Sequence, residues 1–103
     1  MSITKVAAEY GEAVGAEELT VSSSAVGLTS VGRPASAMVT NGAEAIRVAY
    51  SAVSGISDPT SSRGHYLNPY SVLELFGTDI DNVKFIRAGS SNSTIYVTYF
   101  GGV

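Results

Sequence analysis

The residues best able to do chemistry lie in Asp79-Ile80-Asp81-Asn82, where two carboxylates and an amide crowd together. Clustered oxygen ligands suit hard cations, so Ca²⁺ is the first chemistry to test, but the calcium-loop pattern with its Gly and closing Glu is missing. The segment reads instead as one helical turn linking two strands. Thr78 caps it, and Asp79 and Asp81 are favourably placed at its amino end. No metal site is expected. The single histidine, His65, sits in Arg63-Gly64-His65-Tyr66. A nucleophilic triad needs an imidazole held by a carboxylate beside an activated Ser, and no Gly-x-Ser-x-Gly elbow is present to supply that Ser. His65 is expected in a loop, packing beside Tyr66 and Leu67 with Gly64 making a tight turn. Neither Gly-x-Gly-x-x-Gly nor a Walker pattern occurs, so no phosphate cradle and no cofactor are expected. No acid, base and nucleophile set can be assembled, and the chain is read as not an enzyme, with no catalytic residue.

Two polar or aromatic features remain. Asn92-Ser93-Thr94 fits the glycosylation triplet formally, but no secretory signal accompanies it and it reads as a polar turn. Of the tyrosines, Tyr66 and Tyr70 fall where a loop could offer them to a sugar ring, and they form a possible ligand loop. Strand alternation turns Tyr50 and Tyr99 inward.

The elements that must position these residues are β strands. The chain has 103 residues, which suits one domain. It carries 6 Lys plus Arg against 9 Asp plus Glu, a net charge of -3, the wrong sign for a nucleic-acid backbone binder. Absence of Cys excludes disulfides, thiolate zinc ligands and Cys nucleophiles. No run of apolar residues is long enough to cross a membrane, and Met1 to Tyr10 lacks the continuous apolar stretch of a signal peptide. Only 15% of residues are charged while 45% are hydrophobic, a low charge for a free monomer, where about a quarter is usual. Part of the surface is therefore expected to meet another protein.

The net charge comes from one end: Lys5 stands against Glu9, Glu12, Glu17 and Glu18, whereas charges after residue 30 cancel. Val6, Tyr10 and Val14 have helical spacing, but Gly11 and Gly15 each cost about 1 kcal/mol within a helix. Residues 1 to 17 are read as an N-terminal arm, with Tyr10 a candidate contact to a neighbouring subunit, and residues 18 to 103 as the β domain. Candidate strands are Leu19 to Ser23, Ala25 to Thr29 (the weakest), Ala35 to Thr40, Ala45 to Ser51, Ser71 to Phe76, Val83 to Arg87 and Thr94 to Phe100. Asn41-Gly42 predicts a two-residue hairpin between the third and fourth of these. Gly89 to Ser93 predicts another between the last two, and Ser54 to Asn68 an exposed loop crossing between sheets. In the final strand Ile95, Val97 and Tyr99 make one apolar face, while Tyr96 and Phe100 leave aromatic surface on the other. A second sheet covers only one face, so Tyr96 and Phe100 are read as interface residues.

Three stretches together resemble a known pattern: Val39-Thr40-Asn41-Gly42-Ala43-Glu44-Ala45-Ile46-Arg47-Val48; then Asp58-Pro59-Thr60 with Gly64-His65-Tyr66-Leu67; then Phe85-Ile86-Arg87 with Ile95-Tyr96-Val97-Thr98-Tyr99. Over about residues 35 to 100 the chain is similar to small β-sandwich virion proteins of tailed bacteriophages. The resemblance implies an all-β fold, an antiparallel β-sandwich that is jelly-roll-like with an N-terminal arm. It also implies a capsid decoration or cement subunit, a homo-oligomer and commonly a trimer, partnered with the major capsid protein on the capsid surface after assembly in the bacterial cytoplasm. The alternative it leaves open is a tail or fibre component, including a carbohydrate- or receptor-binding module using Tyr66 and Tyr70. No nucleic acid, membrane or cofactor is implied.

Overall fold

The computed structural model describes residues 12–29, 35–50 and 59–101. They form eight strands and one helical turn: β1 (Ala13–Val21), β2 (Val26–Gly27), β3 (Ser36–Thr40), β4 (Ile46–Tyr50), β5 (His65–Leu67), β6 (Val72–Phe76), α1 (Asp79–Asn82), β7 (Val83–Arg87) and β8 (Ser93–Phe100). The strands follow the runs of Val, Ile, Thr and aromatic residues, whose branched or flat side chains fit a half-buried pleated surface. They make two antiparallel four-stranded sheets, ordered β1-β8-β3-β6 and β2-β7-β4-β5. Every connection but β4 to β5 passes from one sheet to the other.

Alternation decides what the sheets bury. Ile95, Val97 and Tyr99 of β8, Val39 and Ala37 of β3, Leu75 of β6 and Val21 of β1 face Ile46, Val48, Val83 and Phe85 of the other sheet in one core. Ile80 of α1 closes one side of this core, and Tyr50 packs against it. Thr78 occupies the cap position of α1, but its side chain makes no capping hydrogen bond; its carbonyl instead accepts from the Asn82 side chain at 2.8 Å.

Three expectations about connections are corrected. Asn41-Gly42 does not close a hairpin, because β3 already has β8 on one side and β6 on the other and leaves no edge for β4. The last two strands are not a hairpin either: β7 lies between β2 and β4, and β8 between β1 and β3. Nor is the connection ending at Asn68 a loop throughout. Its His65–Leu67 part is β5, paired with β4 in the same sheet, so His65 belongs to a strand and not a loop. The Thr60–Arg63 turn makes this return possible, with Gly64 following at φ 124, a conformation that only glycine adopts readily. Residues 51–58 lie outside the described residues. At the amino end β1 begins at Ala13, within the stretch read as an arm, and reaches Val21 along β8 with an irregularity between Ala13 and Gly15.

Candidate functional site

Register sets out the outer face of the β1-β8-β3-β6 sheet in three rows. Glu18, Tyr96, Thr40 and Val72 lie side by side in the first; Ala16, Thr98, Met38 and Glu74 in the second; Ala13, Phe100, Ser36 and Phe76 in the third. Neighbours in such rows have Cβ atoms about 5 Å apart, close enough to act as one surface. Tyr96 is 51% exposed and Val72 and Phe76 are each 55% exposed. The only charges in the three rows, Glu18 and Glu74, stand on the edge strands β1 and β6. The centre of the face is uncharged.

The outer face of the other sheet is built differently. Arg47 lies between Tyr66 of β5 and Ile86 of β7. Its guanidinium donates to the Ser61 carbonyl at 2.9 Å and the Gly64 carbonyl at 3.1 Å, and it sits 5.3 Å from the centre of the Tyr66 ring. These contacts fold the Thr60–Arg63 turn across the sheet and bury Ile86. The turn thus covers this sheet at Ile86 while Tyr66 stays exposed, and the other sheet presents Tyr96, Val72 and Phe76 to solvent but not Phe100 or Ser36.

The two sequence-read interface residues of β8 part company. Tyr96 is exposed, as an interface residue must be in the single chain. Phe100 is 7% exposed and is covered within its own chain. Its register neighbours Ala13 and Ser36 are small, which leaves space for the ring against the sheet. Tyr10 lies outside the described residues. Met38, Val72 and Phe76 join Tyr96 on this face although their sequence gave no warning. Glu74 marks the outward alternation of Val72-Leu73-Glu74-Leu75-Phe76, but only pairing with β3 sets Val72 and Phe76 on the same face as Tyr96.

Tyr66 and Tyr70 are both exposed, Tyr70 at 71% and with φ 64, a left-handed conformation uncommon for a bulky residue. The turn that imposes it is held by Ser71 N–H donating to the Asn68 carbonyl and Tyr70 N–H donating to the Gly42 carbonyl. His65 is exposed on β5 opposite Val48, and Asp79 and Asp81 are exposed on α1. No group of three or more His, Cys, Asp or Glu side chains could hold a metal ion among the described residues. In the glycosylation triplet, Asn92 accepts from Arg87 at 2.7 Å and the Ser93 hydroxyl is buried, donating to Asn41 at 2.9 Å. At the opposite end of the core the Glu17 carboxylate accepts from the Tyr99 hydroxyl and the Thr29 N–H.

No known family, curated protein or solved structure matches the chain. What it can do must therefore be argued from its own surfaces.

The Tyr50 hydroxyl gives a stability test. Burial, and secondarily the Asp79 carboxylate, raise the Tyr50 hydroxyl pKa above its ordinary value. In the unfolded chain Tyr50 ionises first, so stability is unaffected below about pH 10 and falls as pH rises further. Urea midpoints measured on either side of that value are expected to fall less steeply in Tyr50→Phe than in the parent chain. Equal slopes would remove Tyr50 from the alkaline response.

Proposed function

We propose that the chain is a non-enzymatic structural subunit of a tailed-bacteriophage virion, a capsid decoration or cement protein that acts as a homo-oligomer on the major capsid lattice. The observation that carries this reading is the outer face of the β1-β8-β3-β6 sheet, where Tyr96, Val72 and Phe76 are exposed around an uncharged centre. Exposed large apolar side chains gathered on one sheet face, here interrupted by Thr40 and Glu74, point to a contact site.

Two further features support it. The order β1-β8-β3-β6 against β2-β7-β4-β5, with a sheet crossing at nearly every connection, is the order expected of a jelly roll, two Greek keys laid face to face. That architecture serves viral capsid domains and lectins alike, so it narrows function less than the surface does. The resemblance over residues 35 to 100 then favours the capsid over the lectin. Its working place in this reading is the capsid surface.

The test is addition of the purified protein to heads assembled from the major capsid protein encoded nearest to it. Saturable binding at a fixed copy number, with heads that break at higher temperature, is the expected result. Absence of binding contradicts the reading. The second reading, a carbohydrate-binding part of a tail or fibre, is favoured by the exposure and backbone strain of Tyr70 beside exposed Tyr66. Glycan-array binding lost in Tyr66→Ala and Tyr70→Ala would install it instead.

A further inference from the structure

We infer that the open edge of β6 accepts the segment Ile3-Thr4-Lys5-Val6-Ala7 of a second copy as an added antiparallel strand. This rests on the homo-oligomer half of the function just proposed and names one of its contacts.

Backbone pairing leaves β6 ready for a strand. Gly77 N–H donates to the Ala35 carbonyl and Asn41 N–H to the Ser71 carbonyl. The hydrogen-bonded pairs with β3 therefore fall at Leu73 and Leu75, and the N–H and carbonyl groups of Val72 and Glu74 point away from it. No described strand lies beyond them. All five β6 residues pair with β3 in unbroken register and none is Pro, so Glu74 is the one feature here that usually blunts an edge.

Alternation and charge select the segment. Residues 1–11 lie outside the described residues, and Ile3 to Val6 is their one run of strand formers, carrying the only cation before Arg33. Set antiparallel with Lys5 opposite Glu74, it puts Ile3 opposite exposed Phe76 and Val6 opposite half-buried Leu73. One ion pair and two apolar pairs then form together. A slip of one residue would turn Lys5 to the core side, and a slip of two would oppose it to Val72 or Phe76. The β1 edge is the poorer host. Lys5 opposite Glu18 there sets Val6 beside Glu17 and Ile3 beside Thr20, and the β1 ladder is irregular between Ala13 and Gly15, next to the turn such a hairpin needs.

Reach then requires a second copy. Ala13 lies in the row of Phe76 on the far edge strand, while Ala7 would lie beside Val72. Four strand spacings across and four residues along separate the two by about 23 Å. The six-residue link must also reverse direction, and even fully extended it spans about 22 Å at most. Parallel addition, which the chain could reach on itself, would be the one parallel pair in two sheets whose described pairs are all antiparallel. Segment and edge are different surfaces, so the contact closes as a reciprocal pair or as a ring, and the trimer that the resemblance implies agrees with it.

The chain has no cysteine, so oxidative cross-linking of single-cysteine variants reads the contact directly. Lys5→Cys mixed with Glu74→Cys, and Ile3→Cys mixed with Phe76→Cys, are expected to give the joined peptides by mass spectrometry at least tenfold above Thr4→Cys mixed with Glu74→Cys, whose side chains would stand on opposite faces. In sedimentation equilibrium Lys5→Glu and Glu74→Lys should each raise the dissociation constant of the oligomer about tenfold, and the two together should return it to within about threefold of the parent, as an ion pair exchanged for like charges and then restored. Equal yields from Thr4→Cys and Lys5→Cys, or linkage of Ile3→Cys to Val72→Cys in place of Phe76→Cys, overturns the antiparallel register. A disulfide within one chain carrying both Lys5→Cys and Glu18→Cys places the segment on its own β1 and overturns the exchange. Either result in a chain that still binds heads as an oligomer overturns this inference alone, and a monomer that binds no heads overturns the proposed function with it.

Discussion

Asn41→Ala is expected to lower the unfolding free energy by about 3 kcal/mol, because one buried amide satisfies several groups at once. Asn41 is 1% exposed. Its Nδ2 donates to the carbonyls of Glu44 at 2.8 Å and Asn68 at 3.0 Å, with a longer approach to Leu67 at 3.4 Å, and its Oδ1 accepts from the Ser93 hydroxyl at 2.9 Å. Those partners belong to the β3–β4 crossover, the β5–β6 crossover and the start of β8, so a single side chain ties together three places where the chain changes sheet. Alanine leaves the carbonyls without a donor and the Ser93 hydroxyl without its acceptor. Asn41→Asp should cost more still at neutral pH, since it removes the N–H groups and directs negative charge at carbonyl oxygens. Ser93→Ala, which removes one hydrogen bond and leaves the rest, should cost about 1 kcal/mol. Urea unfolding read by tyrosine fluorescence measures all three. A loss for Asn41→Ala no greater than that for Ser93→Ala would show that the amide is not the tie.

Gly42→Ala is expected to cost about 2 to 3 kcal/mol, the upper range for forcing added volume into a packed site. A Cβ at Gly42 would stand 2.5 Å from the Thr94 carbonyl oxygen and 3.3 Å from Ser93 Oγ. The first obstacle is backbone, so either the crossover or the start of β8 must move. Gly89→Ala is the control: nothing lies within 4 Å of its Cβ position, and the substitution should be neutral or stabilise by about 0.5 kcal/mol through the unfolded chain. Equal effects at the two sites would mean that β8 yields freely at Thr94.

Asn41-Gly42 also marks where sequence reasoning stops. The pair is the strongest local sign of a hairpin, yet here the Asn is chosen for its buried amide and the Gly for close approach to β8. Local spacing cannot separate these causes, because the deciding neighbours, Ser93 and Thr94, are about fifty residues away. Most strand positions were legible for the opposite reason, although β1 starts at Ala13 where Leu19 was expected and β5 lay inside a stretch read as a loop. Val83 to Arg87 was read to the residue and Thr94 to Phe100 within one residue, since alternation is written in the strand itself. Which sheet each five-residue strand joins is not written there, and both expected hairpins failed on it. The surface followed the same division. Tyr96 was legible as an outward aromatic on a strand already apolar inside. Phe100 looked the same but is covered, because its pairing with Ala13 and Ser36 becomes known only with the register. The same register brought Val72 and Phe76 beside Tyr96.

Hydroxyl-radical footprinting of the full chain, free and with assembled heads added, tests most directly whether that face is the working surface. Met38, Val72 and Tyr96 are expected to lose reactivity together on the heads, while Tyr66 on the opposite sheet stays reactive throughout. Unchanged reactivity at Met38, Val72 and Tyr96, or protection at Tyr66 instead, would contradict the account.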